Sequence, residues 1–386
     1  MNNFTYHNPV KIIFGKAAVD KLPTLLSKDR KIMLAYGMGS IKKTGLYDKI
    51  LKTLEGYKVV EFAGIEANPD YATCMKAIAL AKTEGVDFIL SVGGGSVLDA
   101  VKFIAAGVNY DGDDPWELLT EKKSIKVKSA LPIGCILTLA ATGSEGNGFS
   151  VISRRETGEK LAFGSPLLYP LFSILDPQLT FTLNKTQTVN GIVDAFVHVF
   201  EQYCTYDVNS PLQDRQSEAI LKTLIEEGPK VINDPENYEA RANVMWCATH
   251  ALNGMSSCGI VQDWSTHMIG HELTAIYGLD HARSLAAILP ALIEYKKNKK
   301  FDKFVQYGKR VWHSVQGDDE TIFNKSMEKT LKFFESLEMP TRLSAYDITN
   351  EKFGEIGQRF EDRNMKIGER QDIGKNEVIE ILNKAL

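Results

Sequence analysis

The stretch FILSVGGGSVLDAVKFIAA, residues 88–106, gives the clearest indication of the fold. An apolar run, the turn from Gly93 to Ser96 and a segment of helical spacing predict a strand, a tight turn and a helix. Glycines allow the backbone to approach a ligand closely, and the N-terminus of the helix offers unpaired N–H groups. The stretch therefore predicts a pyrophosphate site, with a purely structural turn as the alternative. The G-x-G-x-x-G fingerprint is not met, because Leu98 takes its last glycine position.

The residues around this stretch alternate between short apolar runs and segments with helical spacing. The runs predict strands at 31–36, 58–62, 88–92, 130–136 and 172–177, and 149–165 predicts a hairpin. Segments 45–56 and 71–85 have helical spacing and end in glycine, a usual helix stop. Alternating strands and helices are typical of a parallel sheet with helices on both faces.

After about residue 183 the strand candidates stop, and four segments carry the helical period: 186–204, 210–228, 237–255 and 262–278. The sequence therefore predicts an α/β Rossmann-like N-terminal domain over 1–182 and an all-α C-terminal domain over 183–386. Because no Ser/Gly-rich linker separates the halves, we expect them to pack closely around a ligand-binding cleft.

Composition excludes several functional classes. The 386 residues are 44% hydrophobic and 24% charged, with a net charge of −4, which gives no reason to expect a nucleic acid or an anionic membrane as partner. No apolar run reaches the roughly 18 residues that a membrane span requires. The five cysteines are scattered and form no C-x-x-C, so we expect buried thiols in a cytoplasmic protein.

A second glycine turn, YGMGSIKK at 36–43, follows the first strand of the predicted sheet. In a dinucleotide site this is where the adenosine ribose is recognised. The turn carries no acidic residue to bind a ribose diol, and Lys42 and Lys43 add positive charge. It therefore favours NADP(H) over NAD(H). The alternative is a solvent-exposed turn with two hydrated lysines.

A third polar loop, TLAATGSEGNGFS at 138–150, follows the strand predicted at 130–136. Its hydroxyl and amide groups can bind a phosphate or a ribose. The loop is close to a hydrolase nucleophile elbow, but Thr142 takes the first glycine position of G-x-S-x-G around Ser144. Serine-nucleophile chemistry is therefore disfavoured.

Five candidate metal ligands lie on the predicted helices and the bend after them. Asp194 and His198 are four residues apart, as are His267 and His271, so each pair shares one helix face, and His281 follows a break. A carboxylate with several imidazoles suits Zn²⁺ or Fe²⁺. The alternative for the first pair is a hydrogen-bonded core pair. H-E-x-x-H fails, because an alanine takes the position of its second histidine.

Taken together, these motifs resemble the iron-containing (group III) alcohol dehydrogenases, and among them the NADPH-dependent butanol dehydrogenase and aldehyde reductase branch. The resemblance rests on GGGSVLDAVKFIA (93–105), ATGSE (141–145), DPQLT (176–180), VNGIVDAFVHVFEQY (189–203) and QDWSTHMIGHELTAIYGLDHARSLAAILPAL (262–292). It implies a Rossmann-like domain joined to a helical domain in a dehydroquinate synthase-like architecture, and a homodimer.

The resemblance also implies which residues form the sites. The metal ligands it implies are Asp194, His198, His267 and His281, and His271 is an additional histidine near the metal and the nicotinamide. The cofactor-binding residues it implies are Gly37, Gly39, Ser40, Gly93, Gly94, Gly95, Ser96, Asp99, Thr138, Thr142, Asn147, Lys160, Thr180 and Thr182.

The chemistry expected of such a protein is reversible hydride transfer between NADP(H) and a primary alcohol or aldehyde, assisted by Fe²⁺ or Zn²⁺ as a Lewis acid. His271 is the candidate proton relay, with a packing histidine as the alternative. Other functions remain open: an NAD-dependent glycerol or polyol dehydrogenase, a lyase similar to dehydroquinate synthase, a metal-dependent hydrolase, or a binding protein. The apolar residues around the candidate ligands favour a simple alcohol or aldehyde.

Overall fold

The computed structural model describes residues 1–120 and 127–386 and contains two compact units. The first unit is His7–Asn184, and the second is Lys185–Leu386 together with Met1–Tyr6. The sequence analysis predicted domains over 1–182 and 183–386, so it grouped the first six residues with the sheet unit. In the structure these six residues belong to the helical unit. Those residues pack on the helical unit, where the Asn2 N–H donates to the Gly259 carbonyl at 2.9 Å.

The first unit is built on a six-stranded parallel sheet, which confirms the α/β prediction. The order of its strands is β1-β8-β5-β4-β2-β3. The strands are β1 (Lys11–Phe14), β2 (Lys31–Tyr36), β3 (Lys58–Phe62), β4 (Phe88–Gly93), β5 (Ile133–Leu137) and β8 (Phe172–Leu175); β6 (Phe149–Arg154) and β7 (Glu159–Gly164) form the separate hairpin.

The middle of the sheet is apolar because it is covered on both faces. Every residue of β4 is buried, and Ile89 on this strand pairs with Met33 on β2 and with Ile133 on β5. The edge strand β1 was not predicted. It has only four residues, all partly or fully exposed, so its sequence carries little of the apolar signal of a central strand.

Within residues 7–120 and 127–184, the α-helices that accompany the sheet are α1 (Ser40–Lys43), α2 (Leu46–Thr53), α3 (Tyr71–Glu84), α4 (Gly95–Val108) and α5 (Glu117–Thr120). Helix α3 has a recognisable capping residue at each end. The Asp70 carboxylate accepts a hydrogen bond from the Ala72 N–H at 3.0 Å and caps the start. At the other end Gly85 adopts φ 63°, the left-handed conformation that ends many helices.

The second unit is helical, as predicted for the C-terminal half. Its helices are α6 (Lys185–Tyr203), α7 (Pro211–Asn233), α8 (Tyr238–Ala251), α9 (Ser265–Tyr277), α10 (His281–Arg310), α11 (Asp319–Ser336), α12 (Phe353–Asp362) and α13 (Lys375–Lys384). Helix α6 is buried almost throughout and contacts α7, α8 and α10. Within the described ranges, no helix is both long enough and apolar enough to cross a membrane.

Candidate metal centre and nucleotide loops

Three ligand-type side chains of the helical unit meet at one point. Asp194 lies in the middle of α6, His267 lies in the first turn of α9, and His281 is the first residue of α10. The Asp194 Oδ1 atom lies 3.8 Å from His267 Nε2 and 3.7 Å from His281 Nε2. One ligand atom from each residue lies within 4.8 Å of the others, a spacing that one metal ion can bridge.

His198 lies beside this group, one helical turn after Asp194. Its Nδ1 atom is 3.5 Å from Asp194 Oδ1, and its ring centroid is 4.3 Å from that of His267. The structure thus places all four predicted metal ligands in one region of the helical unit. His198 is not among the three residues whose ligand atoms all lie within 4.8 Å of one another. Its role as the fourth ligand stays a prediction.

The buried nitrogen atoms of this cluster fit a bound cation. His267 Nε2 and His198 Nδ1 are buried and have no hydrogen-bond partner in residues 1–120 and 127–386. A buried polar atom without a partner is costly, because it loses its hydrogen bonds to water and gains none in return. A divalent ion would supply a partner to both nitrogens and to the Asp194 carboxylate, so the donor set suits the metal that the sequence predicts.

The electrostatics of the two imidazoles point the same way. Burial lowers the pKa of His198 to about 4, so this ring is neutral at neutral pH and has a lone pair available. Burial also acts to lower the pKa of His267, but the carboxylates of Glu201 and Asp194 outweigh it and raise that pKa to about 9. The cluster therefore stabilises positive charge at His267, which either a proton or a metal ion can provide.

His271 lies one turn after His267 on α9 and is buried. Its ring centroid is 5.2 Å from that of His281. This places it next to the ligand cluster and outside the group of three. Its role as a proton relay stays a prediction.

Glu201 is a residue of this site that the sequence analysis missed. It is 2% exposed, and its carboxylate contacts the Nδ1 atom of His267. The signal was available, because Glu201 follows Asp194 by seven residues and His198 by three, which puts all three on one face of α6. A glutamate within an otherwise apolar run should have marked it as a partner of the candidate ligands.

In the sheet unit, the three predicted nucleotide loops leave neighbouring strands at their carboxyl ends. The turn with Gly37, Gly39 and Ser40 follows β2, the glycine turn ends β4, and Thr138 follows β5. The Thr138 N–H donates to the Gly93 carbonyl at 2.9 Å, so the last two loops touch. Strands β3 and β4 lie on opposite sides of β2. The loops therefore flank a point where strand order reverses, which is where open α/β sheets bind nucleotides.

Two glycines in these loops are required by their surroundings. Gly39 has φ 99°, a conformation that residues with a side chain rarely adopt. A Cβ atom on Gly95 would lie 2.4 Å from the Thr142 Oγ1 atom, which is far inside van der Waals contact. Gly95 therefore allows the loop at 138–150 to lie directly against the N-terminus of α4.

The carboxylate of Asp99, a predicted cofactor residue, accepts hydrogen bonds from other residues of the sheet unit. One carboxylate oxygen accepts from the Ser144 hydroxyl at 2.7 Å, and the other accepts from the Val151 N–H at 3.1 Å. Asp99 thus ties α4 to the third loop and to β6. Its direct contact with a cofactor stays a prediction.

Lys102, one turn further along α4, was not predicted and is fully buried. Its ammonium group donates to the Ser144 carbonyl and hydroxyl and to the Phe149 carbonyl, each at 2.7 Å, and to Asn147 Oδ1 at 3.2 Å. Burial lowers its pKa to about 8. The predicted cofactor residue Asn147 is therefore part of a loop that is held by a buried cation.

The remaining predicted cofactor residues lie apart from these contacts. The Lys160 ammonium group is buried and donates to Asn68 Oδ1 at 2.9 Å. Thr180 is also buried and donates to the Pro177 carbonyl at 2.7 Å, while Thr182 is exposed. None of these contacts tests whether the three side chains bind a ribose or an adenine.

An acidic side chain reaches the 36–43 turn from the neighbouring strand. Glu61 on β3 accepts from the Lys42 ammonium group at 3.0 Å, from the Tyr47 hydroxyl at 2.6 Å, and from the Tyr36 hydroxyl. The hydrogen bonds from Tyr36 and Tyr47 are the main reason that the pKa of Glu61 is lowered to about 2. The turn itself has no acidic residue, yet the charge of Lys42 is balanced by this carboxylate.

Comparison with known proteins identifies the family. Residues 9–177 match the family model described as iron-containing alcohol dehydrogenase, and residues 188–386 match its C-terminal domain model. The chain is 50% identical over 375 residues to the NADPH-dependent aldehyde reductase YqhD of Escherichia coli, covering 97% of each chain. It is 44% identical over 391 residues to the probable NADH-dependent butanol dehydrogenase 1 of Bacillus subtilis, covering 100% of both.

Solved structures agree with the sequence comparison. A crystal structure of Escherichia coli YqhD matches with a TM-score of 0.98 at 48% identity, covering 100% of this chain and 99% of that one. The NADH-dependent butanol dehydrogenase A of Thermotoga maritima matches with a TM-score of 0.95 at 35% identity and the same coverage. The chain therefore belongs to the iron-containing alcohol dehydrogenase family of oxidoreductases, which confirms the resemblance seen in its sequence.

Proposed function

We propose that this protein catalyses reversible hydride transfer between NADP(H) and primary alcohols or aldehydes, with a dication held by Asp194, His198, His267 and His281. The observation that carries the proposal is the buried cluster of imidazoles around Asp194 in a chain that is 50% identical to an NADPH-dependent aldehyde reductase. When bound, the metal would supply Lewis-acid chemistry and the nicotinamide would supply hydride. In the reductive direction, aldehyde, NADPH and a proton give alcohol and NADP⁺.

In this proposal the residues of the chain divide the work. The backbone N–H groups at the start of α4 bind the pyrophosphate, because a helix N-terminus favours negative charge. The apolar neighbours of Asp194 on α6 exclude water and suit a substrate without charges. His271, adjacent to His281, exchanges the proton between the substrate oxygen and solvent. We further propose that residues 1–182 bind the nucleotide and residues 183–386 bind the metal. We also propose that the protein is a homodimer and acts in the cytoplasm.

The choice between the two nicotinamide cofactors depends on the 36–43 turn. Lys42 and the absence of an acidic residue in the turn favour NADPH, and the YqhD relative is named for it. Glu61 and the relatives named NADH-dependent favour NADH. We propose NADPH as the preferred cofactor with NADH as a slower alternative.

The test is a comparison of initial rates for NADPH and NADH oxidation across a series of straight-chain aldehydes that includes butanal. Protein stripped of metal is reloaded separately with Zn²⁺ and with Fe²⁺, and the metal-free protein serves as the control. We expect oxidation only in metal-loaded samples, with a larger kcat/KM for NADPH. Absence of turnover with every aldehyde and both metals would contradict the proposed activity, and equal kcat/KM values would contradict the cofactor preference alone.

A further inference from the structure

We propose that Glu201 is a positioning residue of the metal centre, which fixes His267 with a proton on Nδ1 and so presents the Nε2 lone pair to the ion. This inference depends on the metal site of the proposed function but not on the substrate or the cofactor. It concerns a carboxylate that holds a ligand in place without touching the ion itself.

The contacts of Glu201 converge on the first turn of α9. One carboxylate oxygen accepts from the backbone N–H of Thr266 at 2.5 Å. The other accepts from the backbone N–H of His267 at 3.3 Å and lies against the Nδ1 atom of the same residue. With only 2% of its surface exposed, Glu201 has little water to compete for these hydrogen bonds.

These contacts determine which imidazole nitrogen carries the proton. An ionised carboxylate can only accept hydrogen bonds, so the Nδ1 atom that faces it must be the donor. In a neutral imidazole the other nitrogen, Nε2, is then left with a lone pair. His267 Nε2 is buried, lies 3.8 Å from Asp194 Oδ1 and has no hydrogen-bond partner within the described part of the chain. It is therefore oriented to bind an ion shared with Asp194.

Glu201 also sets the position of one helix relative to another. It lies on α6, which carries Asp194 and His198, while the groups that it holds belong to α9. Backbone N–H groups in the first turn of a helix lack partners within the helix, and a buried carboxylate satisfies them well. One side chain thus links two of the three helices that carry predicted ligands and orients the ring of His267 between them.

The variant that tests this role is Glu201→Gln in the full-length protein. Glutamine has the same shape, but one of its two terminal groups is an NH₂ donor, which conflicts with the three N–H groups around it. We expect the dissociation constant for Zn²⁺, measured by competition with a chromophoric chelator, to rise about ten- to hundredfold, as is typical when such an outer partner is changed. We also expect the visible absorption bands of the Co²⁺-loaded protein to shift, because the ligand field changes.

A matched control is Glu218→Gln. Glu218 is another buried carboxylate of the helical unit, on α7, and it accepts from the Tyr203 hydroxyl and from Arg310 without contacting a predicted metal ligand. A general loss of stability from replacing a buried glutamate would affect both variants. Only Glu201→Gln should change the Zn²⁺ affinity and the Co²⁺ spectrum.

A measurement on the unsubstituted protein covers the case in which the variant fails to fold. Nitrogen-15 NMR of histidine-labelled, Zn²⁺-loaded protein should show His267 protonated at Nδ1 and metal-bound at Nε2. A proton on Nε2, or a Zn²⁺ dissociation constant for Glu201→Gln within twofold of the unsubstituted value, would overturn the inference and leave the proposed activity standing. Tight Zn²⁺ binding without aldehyde turnover would instead count against the activity alone. Absence of binding of both Zn²⁺ and Fe²⁺ would overturn the inference and the proposed activity together.

Discussion

The predicted metal-ligand cluster of the helical unit and the glycine loops of the sheet unit use polar residues in opposite ways. Around Asp194, buried nitrogen atoms of His198 and His267 lack hydrogen-bond partners within the described ranges and so leave a place for a cation. In the loops, Asp99 and Lys102 use their polar atoms to hold the loop together. The polar atoms of the first region are available to an ion, whereas those of the second region stabilise the conformation of a loop.

The two regions would recognise their ligands through different chemical groups. A metal ion needs side-chain ligands, so the helical unit must supply several donor atoms that can face it. A pyrophosphate can be bound by backbone N–H groups. The side chains of the loops can therefore stabilise the backbone conformation that exposes these N–H groups. Substitutions in the two regions should therefore fail in different ways, the first by loss of ion binding and the second by loss of folding stability.

The largest effect is expected from Asp194→Asn. This change removes the carboxylate whose Oδ1 atom lies within 3.8 Å of three imidazole nitrogens, and with it the negative charge next to the predicted ion. Removing one partner from a buried charged group costs roughly 3–5 kcal/mol. We therefore expect Zn²⁺ affinity, measured by chelator competition, to fall by about two to three orders of magnitude. The control is Asp302→Asn, at an exposed position on α10. A change of less than threefold in Asp194→Asn would contradict the role of Asp194 as a metal ligand.

The next effect is expected from Lys102→Met, which tests the sheet unit. Methionine has a similar length but no charge, so it leaves four buried acceptor contacts unmade and removes the cation near Asp99. We expect the free energy of unfolding, measured by urea denaturation, to fall by about 3–5 kcal/mol. Zn²⁺ affinity of the folded protein should stay unchanged.

The control for that experiment is Lys82→Met, an exposed lysine on α3. Its replacement should alter the free energy of unfolding by about 0.5 kcal/mol at most. If both lysine variants unfold at the same urea concentration, the third loop does not depend on a buried cation. The claim that buried polar side chains stabilise the conformation of this loop would then be wrong.

The sequence predicted the parts of the fold that carry a strong local signal. Apolar runs located β2, β4, β5 and β8 because these strands are mostly or fully buried, and they also located β3. The four-residue edge strand β1 was missed, since it depends on pairing with β8 and not on its own residues. Of the candidate site, helical spacing indicated the pairs Asp194–His198 and His267–His271. His281 follows a break, and the choice of four ligands among the five candidates came only from the family resemblance.

The contacts that the sequence did not reveal link residues far apart in the chain. Glu201 and His267 are separated by 66 positions, and Lys102 and Ser144 by 42. Spacing rules act over one or two helical turns, so they cannot predict such pairs. The same limit applies to the 36–43 turn, whose sequence has no acidic residue, because Glu61 reaches it from the adjacent strand.

The smallest effect is expected at that turn, from Glu61→Gln. The Lys42 and Glu61 side chains are 48% and 39% exposed, and exposed ion pairs are worth only about 0.2–1 kcal/mol. Replacing the carboxylate should release the Lys42 ammonium group and remove a negative charge that repels the 2′-phosphate of NADPH. We expect the ratio of kcat/KM for NADPH to that for NADH to rise about two- to fivefold, measured with one aldehyde at low ionic strength. Glu84→Gln, which removes the exposed partner of Lys31 in the same unit, should leave the ratio unchanged. A ratio that falls in Glu61→Gln would show that the Glu61 carboxylate helps NADPH binding, and the loops would then recognise their ligand through charged side chains as the metal cluster does.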